Sequence, residues 1–343
     1  MKKLLNVLYV TMPESYLALD GENIIIRKDQ EITLRLPLHN LENIICFNYL
    51  GASPALMAAC AERSIGLTFL SPNGRFQARI QGRTKGNVLL RKTQYQISEN
   101  RPASMEIARS FLLGKVYNCR KVLERSIRDH AIVLDVEKIR NASKLLKDSL
   151  TVIVECDDLN DLLGLEGSAA RTYFGVFDQL ILHQKKDFFF LERSRRPPLD
   201  NMNALLSFLY SMLTNEAVSA LEAVGLDPYV GFLHQDRPGR PSLALDLMEE
   251  LRPVFADRVA LSMVNLKQIN GKGFVRKESG GVLMDDDTRK SVLKVWQERK
   301  KETILHPYLK ERIDFGLIIH AQAMLLARFL RGDLDSYPPF FWS

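Results

Sequence analysis

Along the N-terminal part of the chain apolar and polar positions alternate, and near residue 87 the alternation gives way to a helical period. Ile24, Ile26, Ile32, Leu34 and Leu36 mark an extended run from Asn23 to Leu36. That run and Tyr16 to Asp20 flank a Gly21-Glu22 turn, which predicts a hairpin. Leu4 to Val10 reads as a first strand. Ser53 and Pro54 supply an N-cap and a first helical residue, predicting a helix to about Arg63. Ile65 to Leu70 and Arg75 to Gln81 read as strands joined by the turn Ser71-Pro72-Asn73-Gly74.

Beyond residue 87, Ser104 is the expected cap of a long helix through Ile107, Phe111 and Val122. Arg109, Lys115, Arg120, Lys121, Arg125 and Arg128 are assigned to its other faces. A helix from about Asp200 spaces Leu205, Leu206, Leu209, Leu213 and Ala217 along one side, with Tyr210 in the core. Further helices are expected at 287–301 and 307–331, and the Gly-rich basic segment 270–287 reads as a mobile loop. The expected fold class is α+β. An N-terminal β-rich domain (1–86) precedes a larger all-α C-terminal domain (87–343).

Composition narrows this picture only a little. At 343 residues the chain is long enough for two domains, and its apolar content excludes global disorder. A net charge of +6 matters only if the basic residues gather on one face. Cys46, Cys60, Cys119 and Cys156 form no CxxC pair, which argues against a disulfide framework or a zinc ribbon. The apolar run at Leu4 is too short for a signal peptide. Leu317 to Leu330 carries His320, Gln322 and Arg328, as a buried helix rather than a membrane span would. A cytoplasmic protein is expected.

Chemistry concentrates in residues 234–253. His234 sits on a Pro/Gly/Arg loop, and a helix with Ser242 as expected N-cap follows it. That helix turns Leu243, Leu247 and Leu251 inward and carries Asp246, Glu249 and Glu250. Like charges one helical turn apart repel unless a cation offsets them. Either a divalent ion or the neighbouring Arg237, Arg240 and Arg252 would do so. Glu166, read as lying at a helix start among Gly167, Ser168, Ala169 and Ala170, is either a crevice carboxylate or a first-turn partner of the helix dipole. A carboxylate–imidazole–carboxylate set with open positions suits magnesium or manganese acting on a phosphate. Arg193, Arg195 and Arg196 form one basic cluster; Lys267, Lys272, Arg276 and Lys277 form a second; Lys290, Lys294, Arg299, Lys300 and Lys301 form a third. Several such clusters raise the prospect of sequence-independent phosphate binding. Asp285-Asp286-Asp287 reads as a capped helix start, and no P-loop, GxSxG or HExxH pattern occurs.

The blocks Glu-Gly-Ser-Ala-Ala-Arg at 166–171, Arg-Pro-Pro-Leu-Asp-Asn-Met-Asn-Ala-Leu-Leu-Ser-Phe-Leu-Tyr at 196–210 and Gly-Phe-Leu-His at 231–234 are followed by Arg-Pro-Ser-Leu-Ala-Leu-Asp-Leu-Met-Glu-Glu-Leu-Arg-Pro at 240–253. In order and spacing they resemble CRISPR-associated protein one, the integrase of spacer acquisition, over essentially the whole chain, and most nearly its type I-C branch. The resemblance implies Glu166, His234 and Glu249 as catalytic metal ligands for Mg2+ or Mn2+. Asp246 and Arg171 take supporting roles, and Glu250 remains the local competitor of Glu249. It further implies a homodimer through the β domain, two of which are bridged by the small CRISPR-associated protein two into a heterohexamer. The implied reaction joins the 3′-hydroxyl of a short DNA fragment to a repeat phosphodiester, with cutting of branched DNA as the related activity. Arg193, Arg195, Arg196, Arg237, Arg240, Arg252, Lys267, Lys272 and Arg276 are the candidate DNA contacts. A non-catalytic DNA scaffold and a metal-dependent RNA nuclease are the competing readings.

Overall fold

Strands fill the N-terminal part of the chain and helices most of the remainder, an α+β arrangement as expected. The computed structural model describes residues 6–29, 31–47, 50–72, 74–82 and 88–343. The expected boundary at 86/87 and positions 4 and 5 of the first strand lie outside these residues.

Strands β1 (Val7–Val10), β5 (Asn43–Cys46), β6 (Gly66–Leu70) and β7 (Phe76–Ile80) form a mixed sheet in the order β1-β5-β6-β7. Strands β2 (Tyr16–Asp20), β3 (Asn23–Lys28) and β4 (Glu31–Pro37) form an antiparallel meander. The single run expected from Asn23 to Leu36 is therefore two strands, and Asp29, at φ 50°, stands where the chain turns back. Helix α1 (Pro54–Arg63) begins as expected, with the Ser53 hydroxyl accepting from the Leu56 N–H at 3.2 Å. Side chains alternate across β5. Ile44 and Cys46 join Leu17, Ile24, Leu56 and Leu67 in a core between the two sheets. Ile45 joins Phe47, just beyond the strand, in the helical core, where Phe47 stacks on Phe208 at 5.8 Å. The β part is thus keyed into the helical part.

The helical part runs α2 (Val88–Glu99), α3 (Arg101–His130), α4 (Val136–Glu155), α5 (Leu159–Phe174), α6 (Asn201–Val224), α7 (Ser242–Glu249) and α8 (Arg258–Asn265). A hairpin of β8 (Phe274–Arg276) and β9 (Val282–Met284) follows, then α9 (Asp286–Lys300), a second hairpin of β10 (Thr303–Leu305) and β11 (Arg312–Asp314), and α10 (Ile318–Leu330). Four expectations change here. The cap of α3 is Asn100, whose side chain accepts from Ala103 N–H at 3.2 Å, and Ser104 is buried inside the helix. The segment expected to be a mobile loop at 270–287 is the β8–β9 hairpin. The helix expected from Pro307 begins only at Ile318, because the preceding residues pair as β10–β11 and Lys310 takes φ 57°. Lys300, expected on a basic surface, is buried against Glu216 at 2.8 Å. Asp200 caps α6 and Asp285 caps α9, as expected. Among the described residues, α6 is the one helix long and apolar enough to cross a bilayer; it is a core helix, packed against α10 and α7. Cys46, Cys60, Cys119 and Cys156 are free thiols.

Candidate active site

Helix α7 is eight residues long, yet it and its C-cap bury three carboxylates: Asp246 (0% exposed), Glu249 (2%) and Glu250 (0%). Leu243, Leu247 and Leu251 are buried as expected, and Met248 is buried with them. The helix start differs, because Ser242 is already helical and donates its hydroxyl to Gln235 O at 3.1 Å. Buried charge is costly unless it is paired or hydrogen-bonded, and each carboxylate meets that demand differently.

Asp246 is satisfied by backbone. Its Oδ2 accepts from Phe232 N–H (2.7 Å) and Leu233 N–H (3.0 Å), and its Oδ1 from His234 N–H (2.8 Å). The Nδ1 of His234 lies 2.7 Å from the same Oδ1. An ionised carboxylate only accepts, so in the neutral ring the proton belongs on Nδ1 and the Nε2 lone pair is free. Gly231 permits this wrap: a Cβ there would stand 3.0 Å from Asp246 Oδ2 and 2.8 Å from His234 O.

Glu249 is satisfied by cations. Arg252 pairs with Oε1 at 2.9 Å and Lys115 with Oε2 at 2.9 Å. Burial would raise the Glu249 carboxyl, but Arg252, Lys115 and His234 outweigh it and bring it down to about 2. The Oε2 atom is closed to solvent and has no hydrogen-bond donor aligned on it, so Lys115 meets it as a contact of charge. The same ammonium contacts Glu166 Oε1. Burial opposes the charge of Lys115, yet Glu249 and Glu166 raise its pKa overall.

Glu250 points elsewhere. Consecutive helical residues are about 100° apart, and its carboxyl takes Tyr337 OH (2.6 Å), Phe340 N–H (2.7 Å) and Gln322 Nε2 (2.9 Å). Burial pushes it up to about 8. Beneath it Asn118 donates to Glu250 O and Phe340 O, both at 2.7 Å, and accepts from Trp342 N–H at 2.8 Å. Gly114 lets α3 approach this closely, since a Cβ there would meet Glu250 Cγ at 2.9 Å. The next residue on α3 is Lys115.

Glu166 lies in the middle of α5, not at its start; Asp158 is the cap, so the dipole reading of Glu166 falls away. The side chains of Glu166 and His234 keep 27% and 24% exposure, against 7% for Lys115 and 2% for Glu249. The cluster is therefore partly open to solvent at Glu166, and the His234 side chain is partly exposed as well. Among the described residues no three His, Cys, Asp or Glu side chains stand ready to hold a metal ion. A cation nonetheless already joins Glu166 to Glu249, and it is the Lys115 ammonium. Two carboxylates meeting at one positive charge, with an imidazole near enough for its charge to act on Glu249, are donor types that fit a hard divalent ion.

The family model for CRISPR associated protein Cas1 matches residues 8–298. The chain belongs to the Cas1 family. The "CRISPR-associated endonuclease Cas1 1" of Chlorobaculum tepidum is 48% identical over 342 residues, the full length of both chains. The solved structure of a casposase bound to integration product superposes with a TM-score of 0.85 at 21% identity, over 99% of this chain and 95% of that one. One chain of a Cas6-RT-Cas1–Cas2 complex superposes with a TM-score of 0.80 at 21% identity, covering all of this chain and 36% of that chain. These likenesses establish the Cas1 fold.

Within this Cas1 fold the basic candidates divide. Arg195, Arg196, Arg237, Lys267 and Lys272 are exposed; Arg276 is also exposed and donates to Leu199 O at 3.1 Å. Arg171 is exposed on α5. Arg240 is half-buried and donates to Gln235 O and to Ser242 Oγ. Arg193 and Arg252 are turned inward: Arg193 donates to Asn203 Oδ1 (2.6 Å) and Ser207 Oγ (3.0 Å), and both guanidiniums lie over the Tyr210 ring, at 5.2 and 4.6 Å. Tyr210 in turn donates to Asp257 (2.5 Å), which also accepts from Tyr173 (3.1 Å); burial pushes Asp257 up to about 6.

Lys115, Asn118, Gln322 and Tyr337 escaped the sequence reading. Lys115 did leave a signal. It lies on the apolar stripe of α3 with Ala108, Phe111, Leu112, Cys119 and Val122, all buried. A lysine on such a stripe needs an anion.

Proposed function

We propose that this chain is a metal-dependent DNA integrase and endonuclease of CRISPR adaptation. It joins the 3′-hydroxyl of a short DNA fragment to a repeat phosphodiester and cuts branched DNA. The observation that carries the proposal is the meeting of Glu166 and Glu249 at one cationic position, the Lys115 ammonium, with the charge of His234 acting on Glu249. Family membership and the name of the Chlorobaculum relative support the same reading.

Glu166, His234 and Glu249 would hold Mg2+ or Mn2+. Such an ion polarises the scissile phosphate and neutralises charge on the attacking and leaving oxygens. Glu249 stays ionised because Arg252 and Lys115 hold it so. Asp246 keeps the His234 proton on Nδ1 and fixes the ring. Arg252, braced on Tyr210, keeps Glu249 in place from the inner side. Glu250 serves the seat of α7 rather than the ion. Arg195, Arg196, Arg237, Lys267, Lys272, Arg276 and, on α5, Arg171 offer exposed positive charge for phosphates.

The assembly belongs to the same proposal. A β domain (1–86) pairs two copies, and two such homodimers bracket a Cas2 dimer in a heterohexamer; the Cas1–Cas2 complex among the structural neighbours supports that partner. The motif blocks support the type I-C branch, and a prokaryotic cytoplasm is the place of action.

A strand-transfer assay tests this. Labelled duplex with a free 3′-hydroxyl is mixed with a supercoiled repeat plasmid, Mn2+ or Mg2+, the chain and its Cas2 partner. Joined product is expected, lost in EDTA and lost in Glu166→Ala and His234→Ala proteins that melt as folded. Undiminished joining by both variants, or in EDTA, refutes the assignment.

A further inference from the structure

Lysine is a costly residue to bury, and Lys115 keeps only 7% of its side-chain surface. Its ammonium contacts Glu166 and stands 2.9 Å from Glu249 Oε2, and that oxygen has no aligned donor. A magnesium ion joining the same two carboxylates would stand about 2.1 Å from each oxygen. The gap between them holds one cation or the other, not both.

Charge leads to the same conclusion. Lys115 and Arg252 supply two positive charges against the two negative charges of Glu166 and Glu249. A divalent ion added to that balanced set would leave excess positive charge beside the buried Lys115 and Glu249 side chains, which is unfavourable. One resident cation must yield. Arg252 lies over the Tyr210 ring at 4.6 Å and meets Glu249 at its other oxygen, Oε1. Lys115 hangs on a flexible four-carbon stem, and its partners are the two groups the ion requires.

We propose that the Lys115 ammonium is a resident stand-in for the divalent ion. It holds Glu166 and Glu249 together in the metal-free protein and is displaced from between them when the ion binds. This rests on the metal-centre reading above and adds a competitor to it. Ion affinity is then set by an exchange of cations rather than by filling of an open site. In the metal-free state the lysine also prevents the buried Glu249 and the half-buried Glu166 from repelling each other.

The test is a Mn2+ titration by calorimetry and a thermal melt, both on the full chain. Lys115→Met removes the competitor, so Mn2+ is expected to bind about tenfold tighter or more, the worth of a lost contact to a charged group. The variant should melt well below wild type in EDTA and recover most of that loss in saturating Mn2+. Unchanged or weaker Mn2+ binding overturns the proposal. So does an equal fall in melting temperature with and without Mn2+, which would mark a packing role alone. If Lys115→Met does not fold, 15N-lysine NMR of the wild type decides. A protected ammonium signal, identified by its loss in Lys115→Arg, must shift on adding Mg2+; an unmoved signal at saturating Mg2+ overturns the exchange. Wild-type Mn2+ binding that Glu166→Gln abolishes and Lys115→Met does not tighten defeats this inference alone. No Mn2+ binding by the wild type defeats the metal-centre reading along with it.

Discussion

Replacing Asp246 with asparagine leaves the shape of the site intact and changes only what one side chain can accept. The native carboxylate takes four contacts: Phe232 N–H, Leu233 N–H, His234 N–H and the His234 ring at Nδ1. Asparagine has one accepting oxygen and one donating NH2. With the oxygen toward His234, both Phe232 and Leu233 lose their acceptor. With the oxygen toward Phe232 and Leu233, the His234 backbone N–H faces an NH2. The ring can adapt only by moving its proton to Nε2, which removes the lone pair needed for an ion. A buried orphan donor costs about 1–3 kcal/mol, and contacts to a charged acceptor are at the high end, so Asp246→Asn should lose about 3 kcal/mol. At roughly 2 °C per kcal/mol for a large domain, the melting temperature should fall by about 6 °C. Mn2+ affinity should fall by about tenfold to a hundredfold, as for other partners that orient a ligating histidine. Scanning fluorimetry in EDTA and a Mn2+ titration read the two effects. Wild-type melting together with wild-type Mn2+ binding would refute the claim that Asp246 sets the histidine.

Glu250 gives a pH signature. Its folded value of about 8 lies above the ordinary 4.5, so its stabilising contribution is complete below pH 4.5 and is lost as pH rises through 8. That difference amounts to up to about 5 kcal/mol. Glu250→Gln should therefore flatten the fall in melting temperature between pH 5 and pH 9 (about the window of loss); an equally steep fall in the variant would show that other groups drive it. Ser53→Ala removes the cap of α1 and should cost about 1 kcal/mol in urea unfolding; no change in the unfolding midpoint would mean the cap contributes nothing.

Local patterns were readable wherever the chain decides its own conformation. Ser53-Pro54, Asp200 and Asp285 start helices as their chemistry dictates, and the inward leucines of α7 place themselves. Some errors were local, such as the caps expected at Ser104 and Ser242, and others arose where distant partners decide. Pro307 invites a helix start, but residues 303–305 find a strand partner at 312–314. Glu249 and Glu250 are equivalent in sequence. Only the direction of Lys115 and Arg252 on one side, and of Tyr337, Phe340 and Gln322 on the other, separates them. The sequence reading puts Lys115 with the other basic residues away from the apolar run of α3, although its spacing from Ala108, Phe111, Leu112, Cys119 and Val122 places it on the buried stripe.

The seat beneath α7 has a consequence for how the protein matures. Asn118 bonds to residues 132, 222 and 224 positions away, and Glu250 is held by groups 72 to 90 positions away. Contacts of such long range form slowly, because distant segments must first be brought together against chain entropy. Short stretches of the polypeptide can coil into helices on their own, but none can assemble this arrangement of charges. A partly folded molecule would therefore lack the arrangement altogether, and the capacity to rearrange phosphodiester chains would appear only once folding is essentially finished.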